Sequence, residues 1–349
     1  MGSSAHGRPP RIDVLAALDG DPATRGWLAT LQAVGPPPFE VALPSADELP
    51  PLLLWLAVPH EDIGDLLALL PRHDPEVRWL LERAVHALSR ATGPDDDALA
   101  VPALPAGLGP LGRYLPALVV LAMLPHTLRL HRERGVDPEV SRVTLADLGR
   151  HLARHRQAFG TGGVEHPGWL TRHLQGKLFQ LGRLQFERVR LRGRAAAAAQ
   201  DAGVVRAVGG PALSVHIPAL YGPMPPQACD ASFALARTFF ARHFPEDRFE
   251  VAVCDSWLLD PQLAEYLPAG SNILHFARRF HLSHPAGDLD GAVQDFVLGR
   301  RYPSPDAMPA STTLERAVAA HARAGRHWHG GVGWLRLDGR PAPERDRGP

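Results

Sequence analysis

The sequence is poor in the residues that mark several functional classes. Of its 349 residues, one, Lys177, is a lysine, and two, Cys229 and Cys254, are cysteines. Two cysteines inside periodic segments predict reduced, buried thiols in a cytosolic protein rather than a disulfide framework. Acidic and basic residues are equal in number, at 37 each. Net charge therefore gives no argument for binding to nucleic acid or to an acidic membrane.

Long apolar stretches and a targeting segment are also missing. The longest apolar run, Leu115 to Leu124, is too short to span a bilayer and contains Pro116. The start, Met1 to Pro10, has no apolar core and does not resemble a signal peptide. We therefore expect a soluble cytoplasmic protein with no membrane partner and no nucleic-acid partner.

The length of the chain and a change of pattern along it predict two domains. Apolar residues repeat every three or four positions through residues 1–160, which is typical of amphipathic helices. After Gly160 the period changes to two, most clearly over residues 183–191. We expect a helical domain over 1–160, a sheet-containing domain over 161–338 and a flexible tail over 339–349. This is an α+β or α/β architecture.

The second half contains a stretch typical of a crossover unit. An alternating strand over 213–217 leads through a loop rich in proline and glycine, 218–226, to an amphipathic helix over 227–243. A second alternating strand follows over 249–257, and a third strand is expected over 272–282. Strand, loop, helix and strand place two strands parallel in one sheet. The loop then points at the helix N-terminus, where backbone N–H groups and the helix dipole favour a phosphate.

Two polar residues at the predicted strand ends are candidates for chemistry. His216 shares a face with Ser214 at the carboxyl end of the first strand, where ligands of such sheets collect. Its imidazole either serves as a general base or holds the following loop through a backbone hydrogen bond. Asp255 shares the parity of Val251 and Val253, and a carboxylate on an apolar face needs a partner. It belongs either to a hydrogen-bond network or to the site.

Other polar residues carry less information. Tyr266 ends a predicted short helix, and its phenol either donates a proton to a leaving group or forms a rim of the site. No G-x-S-x-G sequence surrounds Ser256. His151 and His155 lie four residues apart on one predicted helix, but no third ligand accompanies them. We therefore predict no metal site.

Four motifs of the second half follow one another in a definite order. They are SVHIP at 214–218, CDAS at 229–232 with Phe239 and Phe240 after it, CDSWLLDP at 254–261, and SNI at 271–273 with Phe276 after it. Together they resemble the GNAT-like C-terminal domain of a bacterial acyltransferase family. That family places a helical domain before it, and the helical first half of this chain is similar. The resemblance covers about residues 10 to 337.

This resemblance implies an acyl-CoA-dependent N-acyltransferase, in which two parallel strands splay apart around the pantetheine of the coenzyme. It implies acetyl-CoA or another acyl-CoA as co-substrate. An acyl group, expected to be acetyl, passes by direct attack to the amine of a small molecule or peptide. The residues implied in coenzyme binding are Ile217, Pro218, Tyr221, Gly222, Gln227 and Asp230.

The loop after the first strand departs from the pattern of the family. GNAT enzymes usually carry Arg/Gln-x-x-Gly-x-Gly/Ala there, whereas residues 219–226 read ALYGPMPP, with one glycine and three prolines. Proline has no N–H to offer a phosphate. Two hypotheses therefore stay open. One is an acyl-CoA:amine acyltransferase, and the other is a catalytically silent GNAT-like binding module.

If the chain is an active enzyme, the position of each polar residue along these motifs indicates its catalytic role. An amine must lose a proton when it attacks a thioester, and the candidate bases are His216, Asp255 and Glu187, in falling order. Tyr266 is the candidate acid for the thiolate leaving group. The oxyanion needs a backbone N–H, which a strand splayed from its neighbour leaves free.

Overall fold

The computed structural model describes residues 13–70, 74–91, 100–204 and 207–337. The start Met1–Pro10 and the predicted tail 339–349 lie outside the described residues. The first part of the described chain is helical, and the second part is built on a mixed sheet. This confirms the predicted α+β architecture.

Helices with a shared apolar core make up the first part. They are α1 (Val14–Gly20), α2 (Pro22–Val34), α3 (Leu49–Trp55), α4 (His60–Ala68), α5 (Pro75–Arg90), α6 (Gly109–Glu133), α7 (Pro138–Leu145), α8 (Asp147–Phe159) and α9 (Pro167–Leu174). Local sequence signals begin and end several of them. The Asp74 carboxylate accepts the first amides of α5, and Gly160 adopts a left-handed conformation that ends α8.

Helix α6 lies at the centre of this core. By length and composition it is apolar enough to cross a membrane, but 72% of its apolar window is buried inside the protein. Its buried residues include Leu115, Leu118 and Leu121, which belong to the same core as the helices around it. Burial against neighbouring helices therefore accounts for the apolar character of α6.

Helix α8 approaches the turn after α3 very closely. A Cβ atom built on Gly149 would lie 2.0 Å from the carbonyl oxygen of Ala57. The position therefore requires glycine, since any side chain would push the helix away from the turn. This contact fixes the position of α8, whose residues Arg150 and Arg154 reach the site described below.

A six-stranded sheet forms the second part of the described chain, in the order β1-β2-β3-β4-β6-β5. The strands are β1 (Leu178–Leu181), β2 (Leu184–Arg190), β3 (Pro211–His216), β4 (Val251–Ser256), β5 (His281–Asp288) and β6 (His329–Arg336). The helices of this part are α10 (Gly193–Asp201), α11 (Pro226–His243), α12 (Asn272–Ala277), α13 (Asp290–Val297) and α14 (Thr313–Arg323). Strands β3 and β4 pair in parallel and α11 connects them, which confirms the predicted crossover unit.

The predicted third strand over 272–282 is wrong over most of its length. The Ser271 hydroxyl accepts the N–H of Leu274 at 3.3 Å and caps helix α12. The strand itself, β5, begins only at His281 and pairs antiparallel with β6. Leu274 and Phe276 are both buried in the short helix, so two apolar residues at a spacing of two imitated strand alternation. Strand β1 was not predicted at all.

The two faces of the sheet are covered by different elements. Helix α11 packs on one face, where the rings of Phe239 and Phe179 lie 4.8 Å apart. Helix α10 packs on the other face, against Ala212 and Val251 near the amino ends of β3 and β4. At the carboxyl ends of these strands, the second face borders a cavity instead.

Candidate active site

Strands β3 and β4 diverge toward their carboxyl ends. Their parallel pairing ends at Ser214 and Val253. Beyond that point β3 continues to pair with β2 as far as His216, and β4 pairs with β6 as far as Ser256. The central pair of strands therefore splays apart, as the resemblance implied. Backbone groups that face the gap leave the β-ladder and can bond to a ligand.

A cavity of about 980 Å³ opens from this gap. His216 and Asp255 line it from the ends of the two splayed strands, and helices α8 and α9 of the first part form an opposite wall. An apolar part of the lining consists of Trp257, Leu258, Ile273, Leu289, Ala292, Phe296 and Leu314. The cavity thus combines titratable groups with an apolar surface large enough for a hydrocarbon chain.

His216 forms a hydrogen-bonded pair with Glu187 on the neighbouring strand. The Nε2 atom of His216 lies 2.9 Å from Oε2 of Glu187. Burial alone would raise the pKa of the Glu187 carboxyl, but His216 and Arg172 together lower the pKa below its usual value. The carboxylate therefore accepts the Nε2–H, which leaves the Nδ1 lone pair to take a proton. Nδ1 has no hydrogen-bond partner in the part of the chain that the structure describes.

Two residues of helix α9 hold this pair in place. The Trp169 ring meets the His216 ring edge-on, with centroids 4.6 Å apart and planes at 87°. The Arg172 guanidinium lies 4.6 Å from the centroid of the Trp169 ring, and its Nε donates to Glu187 at 2.9 Å. These four side chains form a closed ring of contacts. Trp169 and Arg172 were not predicted from the sequence, because no local pattern relates α9 to strands β2 and β3.

Asp255 also reaches the cavity, as its position at the end of β4 predicted. Burial raises the pKa of its carboxyl, and the nearby charge of His216 opposes that rise. A carboxyl group beside His216 can hold the ammonium form of an acceptor before proton transfer. The adjacent Cys254 lies on the opposite face of the sheet, and burial raises the pKa of its thiol. Cys254 is therefore not suited to be a nucleophile.

Of the six residues implied in coenzyme binding, three line the cavity and three do not. Those that line the cavity are Ile217, Pro218 and Gly222. Tyr221 lies in the same loop, with its ring next to Arg150 and Arg183. Gln227 and Asp230 lie in the first turns of α11, and Asp230 pairs with Arg279 at 2.6 Å. Neither of these two residues belongs to the cavity lining.

Tyr266 lies in a different part of the molecule from His216. Its hydroxyl oxygen is 3.0 Å from Nδ1 of His321, and its ring packs against Trp328. Tyr266 is not among the residues that line the cavity. Its position therefore gives no support to the predicted role as an acid for the leaving group.

Both parts of the chain match known protein families. Residues 47–176 match the N-acyltransferase N-terminal domain, and residues 178–335 match the GNAT-like C-terminal domain. No curated protein matches the chain.

Solved acyltransferase structures are similar to this chain over nearly its whole length. An acyltransferase in complex with decanoyl-CoA and teicoplanin is 40% identical, with a TM-score of 0.84, and covers 93% of this chain and 98% of its own. A tryptophan-to-alanine acyltransferase mutant in complex with octanoyl-CoA is 40% identical, with a TM-score of 0.83 and the same coverage. An acyltransferase in complex with CoA and 10C-teicoplanin is also 40% identical over the same shares, with a TM-score of 0.82.

Proposed function

Since the chain belongs to the acyltransferase family that joins an N-acyltransferase N-terminal domain to a GNAT-like C-terminal domain, we propose that it transfers a medium-length acyl group from coenzyme A to an amine. The observation that carries this proposal is the cavity at the splayed ends of β3 and β4. It brings the His216–Glu187 pair to the gap in which a thioester can lie. The pair favours an enzyme over a silent binding module, because a pure binding site has no need of an oriented base.

The proposed reaction uses few protein groups. The bound ammonium group first releases one proton to bulk water. The neutral amine nitrogen then attacks the thioester carbon, and Nδ1 of His216 takes the second proton that the nitrogen loses. A backbone N–H in the gap between β3 and β4 stabilises the oxyanion of the tetrahedral intermediate. When the carbon–sulfur bond breaks, the His216 imidazolium returns the proton to the thiolate. The products are an amide and free coenzyme A, with every proton accounted for.

The cavity favours a longer acyl chain than the acetyl group that we first expected. Its apolar lining offers a surface that an acetyl group would leave largely unused. Each buried methylene contributes about 0.8 kcal/mol. The related acyltransferases are in complex with octanoyl-CoA and decanoyl-CoA. We therefore assign to this chain a donor of similar length.

The proposed acceptor is an amine of a glycopeptide of the teicoplanin class. One related acyltransferase is in complex with teicoplanin and another with 10C-teicoplanin. In this chain the Asp255 carboxylate lines the cavity and can attract a cationic amine, whereas the carboxylate of Glu165, also in the lining, is paired with Arg154. An amine on a large peptidic molecule fits the earlier expectation of a small-molecule or peptide amine.

The chain length of the donor is the property to measure. With acyl-CoA donors from acetyl to dodecanoyl, kcat/KM should rise by up to about fourfold per methylene as long as the chain stays inside the cavity. Ala292→Phe, which fills part of the apolar lining, should move the optimum to shorter chains. Ala29→Phe on the exposed face of α2 is the matched control. A constant kcat/KM from acetyl to decanoyl would contradict the assignment of a medium-length donor.

A further inference from the structure

Two arginines from different parts of the chain flank the loop between β3 and α11. The Arg150 guanidinium, on α8, lies 4.9 Å from the centroid of the Tyr221 ring. The Arg183 guanidinium, in the turn between β1 and β2, lies 6.0 Å from the same centroid. Both arginines line the cavity, next to Pro218 and Gly222 of the loop. Two cationic side chains thus lie beside the same tyrosine ring of the loop.

Hydrogen bonds to two other side chains hold Arg150 in place. Its Nε donates to Oδ1 of Asp147 at 2.6 Å, and its Nη2 donates to Oε1 of Gln180 at 3.3 Å. The side chain of Asp147 is 4% exposed and also contacts Nε2 of His173 at 3.0 Å. Burial alone would raise the pKa of Asp147, but His173 and His151 outweigh burial and the pKa lies well below its usual value. The carboxylate stays ionised and orders Arg150 before a ligand arrives.

Arg183 is a cation without a carboxylate partner among the described residues. Its Nε donates to the carbonyl oxygen of Pro223 at 3.1 Å, and its Nη1 donates to that of Pro218 at 3.4 Å. Burial lowers the pKa of Arg183, and the charge of Arg150 lowers it further. Both guanidinium groups line the cavity beside Tyr221, and one carboxylate, that of Asp147, pairs with Arg150 alone. The two arginines therefore carry a net positive charge that an anion would neutralise.

The loop itself has few amides to offer an anion. Pro223, Pro225 and Pro226 have no N–H, and Gly222 is the single glycine between residues 217 and 227. Leu220 and Gly222 have positive φ angles of 54° and 77°, so the chain turns sharply beside Tyr221. A glycine-rich loop binds a diphosphate through its backbone N–H groups, and this loop lacks that composition. Side chains from outside the loop can supply the positive charge and the N–H donors that a glycine-rich loop would otherwise offer.

We propose that Arg150 and Arg183 bind the diphosphate of coenzyme A, in place of a glycine-rich loop. This rests on the proposed function, because it takes acyl-CoA as the donor. The helical first part then supplies half of the diphosphate site through Arg150, and the sheet supplies the other half through Arg183. Coenzyme binding therefore requires the contact between the two parts of the chain.

The test compares three donors that carry the same acyl group. Decanoyl-CoA and decanoyl-dephospho-CoA contain the diphosphate, and decanoyl-pantetheine has no phosphate. Arg150→Ala and Arg183→Ala should each raise KM about 10- to 100-fold for the first two donors. The effect on kcat/KM for decanoyl-pantetheine should be no more than about twofold. Arg248→Ala removes an arginine that is 90% exposed on its side chain, and it is the control for loss of one positive charge.

Arg183 also supports the loop, so one more variant is needed. Arg183→Gln keeps N–H donors for the loop carbonyls but loses the charge, and it should show the same selective rise in KM. Equal losses with all three donors would overturn the proposal, since the arginines would then act on loop structure. A loss confined to decanoyl-CoA would also overturn it, because the arginines would then bind the 3′-phosphate.

Calorimetry separates this proposal from the proposed function. Dephospho-CoA should bind the unmodified chain and bind Arg183→Gln at least about tenfold more weakly, whether or not any acyl group is transferred. Binding without turnover would leave the diphosphate site standing and overturn the proposed function. Equal binding of dephospho-CoA to both proteins would overturn the diphosphate site alone.

Discussion

His216→Ala should lower kcat by about 10²- to 10⁴-fold, with only a small fall in melting temperature. His216 lines the cavity and its Nε2 is bound by Glu187, so in the proposed reaction its loss removes the base that takes the amine proton. The fold should survive, because the side chain is 22% exposed and lies at the end of β3 beside the cavity. The measurement is turnover of decanoyl-CoA with an amine acceptor, corrected for folded protein.

The control for this variant is His275→Ala, which removes an exposed histidine on α12. It should leave kcat unchanged. If His216→Ala keeps full turnover while its melting temperature falls, His216 is a structural residue that holds the end of β3. The search for the base would then move to Asp255, which lines the same cavity.

Glu187→Gln should lower kcat by roughly 10²- to 10⁴-fold and change KM for decanoyl-CoA little. The carboxylate receives Nε2–H of His216 at 2.9 Å and Nε–H of Arg172 at 2.9 Å. An amide in its place cannot stabilise the imidazolium that forms during attack, and it can turn its NH₂ group toward Nε2, which reverses the tautomer. We therefore expect Glu187 to position His216 rather than to act as the base itself.

The split between kcat and KM distinguishes positioning from a general loss of structure. Glu250→Gln is the matched control, because that glutamate pairs with the exposed Arg248 away from the cavity. It should leave both constants unchanged. A Glu187→Gln variant with unchanged kcat would show that the hydrogen bond to His216 is not used in catalysis.

The alternation of residues along the predicted strands correctly indicated part of the cavity lining. Alternation placed His216 and Asp255 on one face of adjacent parallel strands, and both line the cavity. Glu187 was a candidate base from its position along the motifs, and the antiparallel register of β2 and β3 brings it to His216. The inferences for His216 and Asp255 worked because the period of a strand fixes the face on which each residue lies. Their catalytic roles stay predictions.

The rest of the site depends on contacts between residues that are far apart in the sequence, and local sequence patterns do not show such contacts. Trp169 and Arg172 belong to α9, yet they complete a group of contacts that includes residues of β2 and β3. Arg150 reaches the loop after β3 only because Gly149 lets α8 pack closely against the turn at Ala57. Tyr266 followed a strand in the sequence, but its short helix turns it toward His321.

The most direct test of acyl transfer follows thiol release and acceptor mass together. The purified chain is incubated with decanoyl-CoA, with and without a glycopeptide of the teicoplanin class that has a free amine. Acyl transfer predicts one thiol released for each acceptor that gains one decanoyl group, and little release without the acceptor. Thiol release without any gain in acceptor mass would identify a thioesterase. Binding of decanoyl-CoA with no release under either condition would identify a silent binding module, and either result would contradict the proposed function.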